Sequence, residues 1–279
     1  MIGELATMTG FNILLAWSVY IILLSGTLSF ANGAFMAIGA YVAGIVTVKF
    51  GLPLAAGLAA AAIAAAAIGL VAGYPALRTR GIYLMLVTVG LAAVVETGIQ
   101  NIPYIGGVKG MGGMQGTTLY HIYGAVLVVG LALWKLTHSP LQRLLDAVRE
   151  DERVAGALGV NVVYLQLALF CFGAALAAFA GGLYSHHMFF IAPDHFMVIV
   201  SVFVVLYVIM GGVNNMWGPP LGAIILTLLP ELFRPVGQWR QTVYGVAIAA
   251  LLLFRREGLM PFRIPSVRLR RKQESGSAQ

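Results

Sequence analysis

Three groups of residues in this chain have types suited to chemistry. The first is His186, His187, Asp194 and His195, three imidazoles and a carboxylate close together in sequence, a set that in other settings holds a transition metal. Adjacent residues on a helix point about 100° apart, so His186 and His187 cannot readily turn to one ion, and no metal site is expected. The second is Glu96, alone in the apolar run from Ile82 to Gln100. A carboxylate is costly in hydrocarbon and marks a candidate for a transport pathway; pairing with Lys109 and a place at head-group level are the other readings. The third is the run Gly106-Gly-Val-Lys-Gly-Met-Gly-Gly-Met-Gln-Gly116. It lacks the Gly-Lys-Ser/Thr that opens a helix in a phosphate-binding loop, and Gln115 stands where a dinucleotide fingerprint has its third glycine. No nucleophile-elbow spacing joins the serines, histidines and aspartates. Neither catalysis nor a bound cofactor is expected, and the glycine run reads as an outer loop, either an adaptable rim or a plain connector.

The densest feature is charge. Asp146-Ala-Val-Arg-Glu-Asp-Glu-Arg-Val-Ala-Gly-Ala-Leu-Gly-Val-Asn161 is a helix-like charged segment between two long apolar runs. Such a segment must lie in water at one membrane face, where it offers a docking surface or serves as a solvated linker. Two further clusters, Ser29-Phe-Ala-Asn-Gly33 and Gly211-Gly-Val-Asn-Asn-Met-Trp-Gly-Pro-Pro220, interrupt apolar stretches with helix breakers and amides. Broken backbone at membrane depth is tolerated only where protein or a water-filled cavity satisfies it, so Asn32, Gly33, Gly212 and Asn214 join Glu96 as candidates for a translocation pathway. Ordinary turns at the membrane surface are the competing reading.

The elements that must position these residues follow from composition. Hydrophobic residues make up 60% of the 279 positions and charged residues 10%, which identifies a polytopic membrane protein of the all-α class. Breaking the apolar runs at turn and charge signals gives about nine spans: Phe11 to Leu28, Gly33 to Phe50, Leu54 to Gly73, Ile82 to Gln100, Leu119 to Thr137, Val162 to His186, Phe196 to Met210, Gly218 to Phe233 and Thr242 to Phe254. The alanine run from Leu58 to Gly69 predicts thin helix faces that approach closely. Cys171, the single cysteine, lies within a span and reads as a packing residue. With nine spans and the N-terminus outside, thirteen of the seventeen Lys and Arg fall on the inner side, from Arg78 and Arg80 to the tail after Phe254. That excess places the C-terminus in the cytoplasm. Two parts result, a transmembrane domain over 1–255 with a charged segment at about 138–161, and a basic tail over 256–279. The tail faces anionic lipid rather than nucleic acid, since no aromatic platform accompanies it.

Four stretches carry a resemblance: Leu28-Ser-Phe-Ala-Asn-Gly-Ala-Phe-Met-Ala-Ile-Gly-Ala-Tyr41, Leu77-Arg-Thr-Arg-Gly-Ile-Tyr-Leu-Met-Leu-Val-Thr88, Ala147 to Asn161, and Gly211-Gly-Val-Asn-Asn-Met-Trp-Gly-Pro-Pro-Leu-Gly-Ala223. Together and in this order they resemble the permeases of branched-chain amino acid ABC importers, and the better match is to the sister permease with the longer N-terminus. Such permeases often carry further apolar sequence ahead of the first span here, so this chain is either a short version or one that begins late, and the outside N-terminus and the span count depend on which. The resemblance implies a type II-like permease in the inner membrane. It implies pairing with a homologous second permease, two cytoplasmic ATP-binding subunits and a periplasmic substrate-binding protein. It also places Arg149, Glu150, Asp151 and Glu152 on a segment that couples to the ATPase, with Ala155, Ala157 and Gly159 permitting close approach. An ion-coupled secondary transporter of small solutes is the alternative, and it leaves the mixed-charge segment unexplained. The substrate, whether a branched-chain amino acid, urea, an amide or an aromatic acid, is set mainly by the binding protein.

Overall fold

The computed structural model describes residues 2–79, 81–233, 239–254 and 259. Eleven α-helices are described: α1 (Ile2–Leu23), α2 (Asn32–Gly44), α3 (Leu54–Ala76), α4 (Ile82–Gln100), α5 (Leu119–Thr137), α6 (Pro140–Glu150), α7 (Glu152–Ala157), α8 (Val162–Met188), α9 (Val198–Gly211), α10 (Gly218–Leu232) and α11 (Arg240–Phe254). A π-helical turn, Ile45–Lys49, extends α2, and a 3-10 turn, Pro193–Phe196, precedes α9. The strands β1 (Met111–Gly112) and β2 (Phe190–Ile191) pair antiparallel. Every apolar run holds a helix, which makes the chain an all-α polytopic bundle. Among the described residues seven helical stretches are long and apolar enough to cross a membrane, and Asn32–Lys49 and Pro193–Gly211 reach that length only through their irregular turns. The helices α10 and α11 have 15 residues each, short of the roughly 20 that span hydrocarbon. Among the described residues the helix lengths account for seven spans of the nine expected.

Helix packing follows from small residues. Gly57, Ala61, Ala65, Gly69 and Gly73 recur every fourth position along the buried face of α3, and that face lies on α8. A Cβ on Gly69 would meet the Ala174 side chain at 3.2 Å. The contact of α2 with α8 is closer still: a Cβ on Gly39 would lie 2.0 Å from the Ala178 carbonyl oxygen, and one on Gly181 as close to that of Met36. Without a hydrophobic driving force between helices, backbone proximity of this kind supplies the packing enthalpy. The arrangement is repeated. Helix α1 lies against α10 as α8 lies against α3, α2 packs on α3 as α9 packs on α10, and α1 and α8 meet at the centre. The contacts that α1, α2 and α3 make are thus matched by those of α8, α9 and α10, with α4 to α7 between the two sets in sequence.

The bundle has two ends. At one, the connections 24–31, 77–79 and 212–217 gather around α6 and α7. At the other lie 50–53, 101–118 and 189–197. The glycine run is part of a folded cap at this second end, since β1 pairs with β2 and the Met114 sulfur packs on Gly44. Lys49 also lies over the Tyr104 ring, 3.2 Å from its centroid, and donates to the Tyr104 carbonyl. Leu259 donates its amide to the Met210 carbonyl at 2.9 Å, which puts Leu259 at the end that carries α6 and α7. Arg80 and the rest of the basic tail over 256–279 lie outside the described residues.

Candidate functional site

Two places gather the residues that sequence alone singles out, one at the end of the bundle and one inside it.

At the end, the charged segment is two helices rather than one. Asp151 leaves helical geometry at φ −153°, and its carboxylate accepts the amides of Arg153 (2.8 Å) and Val154 (3.2 Å), stopping α6 and capping α7. The corner is anchored by Leu145, Val148 and Ala155, each no more than 1% exposed. Ala155 therefore packs inward and does not contribute the surface expected of it, while Gly159 is exposed at φ 89°. The outward tip is apolar: Val154 is 57% exposed and Leu158 77%. Arg149 Nη2 donates to Asn214 Oδ1 at 2.9 Å, and the Arg149 backbone lies against Gly26, where a Cβ would come within 3.6 Å. Gly26 has φ 79°, a conformation that suits glycine. Glu152 accepts from Gln166 Nε2 at 2.9 Å, and Gln166 is buried in α8. The corner thus touches the α1–α2 connection, the α9–α10 connection and the base of α8. Cavities flank it on both sides. One of about 760 Å³ is lined by Tyr20, Asp146, Arg149, Glu150, Asn214 and Trp217, and one of about 270 Å³ by Gly26, Thr27, Leu77, Thr79, Glu152 and Gln166 among others.

Inside the bundle, the break at 29–33 differs from the break at 211–220. The second is a surface turn: Asn214 is exposed, Gly212 ends α9 at φ 109°, and a Cβ on Gly211 would lie 1.9 Å from the Gly218 carbonyl oxygen. The first re-enters the bundle. Asn32 Nδ2 donates to Ser18 Oγ (2.7 Å) and the Phe30 amide to Thr88 Oγ1 (3.0 Å). Ser18 precedes the end of α1 by five residues and Thr88 follows the start of α4 by six. At 1.5 Å per residue, both place the start of α2 about 8–9 Å inside the bundle. On the way, Ser25 and Thr27 turn their hydroxyls to the Ile22 carbonyl in the last turn of α1, and Ser29 Oγ accepts the Ala31 amide ahead of α2.

A counterpart descends from the other end. After β2, the segment 192–197 dips into the bundle, where the Phe196 ring meets Tyr184 of α8 and Tyr41 of α2 at centroid distances of 6.1 and 6.3 Å. Helix α9 starts there, against the first turn of α2. The Gly33 amide donates to Ser201 Oγ at 2.7 Å, and a Cβ on Gly33 would meet Ser201 Oγ, Phe196 O and Met197 O at 3.0, 3.1 and 3.3 Å. Two helices thus begin in the interior with their N-termini side by side. The polar groups around them are sealed: Ser18, Asn32, Thr88 and Ser201 are 0% exposed and Ser29 1%.

The remaining candidates lie apart. Glu96 is half-buried on α4 and makes no ion pair with Lys109 among the described residues. His186 bonds Thr47 Oγ1 through Nε2 and the Gly182 carbonyl through Nδ1, while His187 lies beside the Phe11 ring. Each imidazole is thereby engaged by a different neighbour. The sequence reading did not select Ser18, Ser201, Thr88, Tyr41 or Gln166. Their only signal is a hydroxyl or amide within an apolar run.

The model of a family described as branched-chain amino acid transport system / permease component matches residues 1–255. Two curated relatives, both named high-affinity branched-chain amino acid transport system permease protein LivM, come from Salmonella typhimurium and Escherichia coli. Each is 30% identical over 310 residues, covering 98% of this chain and 73% of the relative. A probable branched-chain amino acid transport permease protein LivM of Methanocaldococcus jannaschii is 29% identical over 151 residues, 48% of this chain and 43% of the relative. No solved structure matches this chain.

Proposed function

The chain belongs to the family of permease components of branched-chain amino acid transport systems, and from that premise we propose that it forms half of the translocation pathway of an ATP-driven importer of such amino acids. Its partners in this reading are a homologous second permease, two cytoplasmic ATP-binding subunits and a periplasmic substrate-binding protein. ATP is hydrolysed by the partner subunits, and this chain converts their motion into opening of the pathway. The chain sits in the inner membrane as one transmembrane domain over 1–255, with its C-terminal tail in the cytoplasm against anionic lipid.

The observation that carries the reading is the corner between α6 and α7. It presents Arg149, Glu150, Asp151 and Arg153 together with exposed Val154 and Leu158, a charged rim around an apolar tip of the kind that docks into a groove on a soluble subunit. The same corner grips two connections of the bundle, through Asn214 and Gly26. The connection at Gly26 leads in eight residues or fewer to Asn32 and Gly33, at the interior start of α2. A push on the corner therefore reaches the interior junction through a short, tethered segment. Asn32 and Gly33 line the pathway at that junction, Glu96 lies toward its outer mouth, and Gly212 and Asn214 form the turn through which α9 is moved.

The test is reconstitution of the four kinds of subunit in proteoliposomes. Leucine uptake should require ATP, the binding protein and this chain together. Uptake that persists without the ATP-binding subunits, driven by a proton or sodium gradient, would overturn the reading.

A further inference from the structure

The larger cavity beside the corner lies where the bundle meets the lipid head groups. Its floor is α1 at Tyr20, one wall is the last turn of α5 at Trp134, the other is the α9–α10 connection up to Trp217, and α6 closes it on the water side with Gln142, Asp146 and Arg149. Helices α5 and α10 both lie against α1, so the gap between them faces away from the bundle, at the level where the span of α5 ends. Trp134 and Trp217 flank that gap at 51% and 53% exposed, the head-group depth that tryptophan favours. From Trp134 an apolar strip runs along α5 through Leu131 and Leu127, 59% and 62% exposed, at the three- and four-residue spacing of one helix face. A volume of about 760 Å³ is that of a small-molecule site.

The polar lining is unfinished. Gln142 Oε1 is buried with no hydrogen-bond partner, while Gln142 Nε2 donates to Asp146 Oδ1 at 2.9 Å. Turning the amide over would set its oxygen against that carboxylate, so the orphan is an acceptor beside a negative charge. Tyr20 is 2% exposed, yet its hydroxyl has no hydrogen bond to protein among the described residues, and the charges of Arg149 and Asp146 both act on it. Arg149 gives an N–H of Nη2 to Asn214 Oδ1 and keeps the other donors of its guanidinium. A buried acceptor left unmade carries its full desolvation cost, and such a group calls for a partner the protein itself does not supply. The lining is thus two-signed: acceptors at Gln142 Oε1 and Asp146, donors at Arg149 and Tyr20.

We propose that this cavity holds the head group of a phospholipid that carries a primary ammonium, as an aminoethyl phosphate does. The ammonium donates to Gln142 Oε1 and the Asp146 carboxylate. The phosphate oxygens accept from Arg149 and the Tyr20 hydroxyl, and an acyl chain follows the strip of Leu131 and Leu127 along α5. A lipid so placed braces α6 against α1 and the α9–α10 connection, next to the bond from Arg149 to Asn214. The composition of the surrounding membrane then sets how firmly the corner is held. The site lies apart from the pathway, and its occupancy does not depend on what the permease carries.

The experiment titrates the permease, purified in mild detergent with its partner subunits, with a short-chain phosphatidylethanolamine, and native mass spectrometry reads the fraction of complex that carries one lipid. The comparison probes are a short-chain phosphatidylcholine, whose quaternary ammonium has no N–H, and free leucine, which joins the same ammonium to a carboxylate. The ethanolamine lipid should bind about tenfold more tightly than the choline lipid, the value of one hydrogen bond to a charged group, and leucine should not displace it. Gln142→Met should erase that preference, because its acceptor serves only an N–H donor. Asp146→Asn and Tyr20→Phe should weaken both lipids, while Asp194→Asn, a like change of charge at the opposite end of the bundle, should alter neither. Equal binding of the two lipids by the unaltered permease, a full preference in Gln142→Met, or wild-type affinity in Asp146→Asn overturns the proposal. Displacement by leucine also overturns it and assigns the cavity to a free amino acid.

Discussion

The corner at α6 and α7 and the junction of α2 and α9 are built on opposite terms. The corner is wet, charged and held by few anchors, Leu145, Val148 and Ala155 inward and Arg149 across to Asn214. The junction is dry, uncharged and packed until backbone meets backbone. Exposed ion pairs and hydrogen bonds contribute little to folding, about 0–1 kcal/mol. Buried contacts at carbonyl distance leave no room for error. The comparison therefore separates where a change is felt: at the junction in stability and transport together, at the corner in transport with the fold intact.

Four substitutions grade that difference, from the largest effect down. Gly39→Leu puts a side chain where a Cβ already lies 2.0 Å from the Ala178 carbonyl oxygen. It should prevent assembly of the bundle, seen as loss of detergent-soluble monodisperse protein, and a folded variant would show that the α2–α8 contact is looser than its geometry. Gly33→Ala meets contacts of 3.0–3.3 Å to Ser201 Oγ and two carbonyls. Overpacking of this order costs about 1–3 kcal/mol, so the midpoint of thermal unfolding and the rate of uptake should both fall. Asp151→Ala removes the cap of α7, worth about 1 kcal/mol, and should lower transport more than stability. Asn214→Ala removes one exposed hydrogen bond from Arg149; it should leave the unfolding midpoint unchanged within error and reduce binding-protein-stimulated ATP hydrolysis. If Asn214→Ala destabilises as much as Gly33→Ala, the distinction between the two regions fails.

The same contrast explains what the sequence made legible. Long apolar runs name helices, and Ile82–Gln100 and Leu119–Thr137 fall where the runs placed them. The first run did not end where expected. The residues up to Leu28 are mostly apolar, but α1 stops at Leu23, because Gly26 takes a left-handed conformation and Ser25 and Thr27 turn their hydroxyls to the Ile22 carbonyl. Depth was not legible. The segment Phe190 to Phe196 carries a proline, an aspartate and a histidine and reads as a surface loop, yet it dips inward to start α9 beside Gly33. Composition records solubility in water or lipid, and it does not record which buried backbone is covered by a neighbouring helix. The break at Asp151 was within reach, since an aspartate followed by free amides two and three residues on is a capping signal. Ser18 and Ser201 were not, because a serine in an apolar run most often bonds its own helix, as Ser185 does to Gly182.

The central claim is that the corner docks on an ATP-binding subunit. Glu150 is exposed, lines the larger cavity and ends α6, so Glu150→Lys reverses a surface charge without disturbing a buried contact. With the variant expressed alongside its partner subunits, the measurement is the amount of ATP-binding subunit that copurifies with the membrane-inserted permease, together with leucine uptake. The account predicts normal insertion of the permease with loss of both copurification and uptake. Wild-type copurification and wild-type uptake in Glu150→Lys would contradict it.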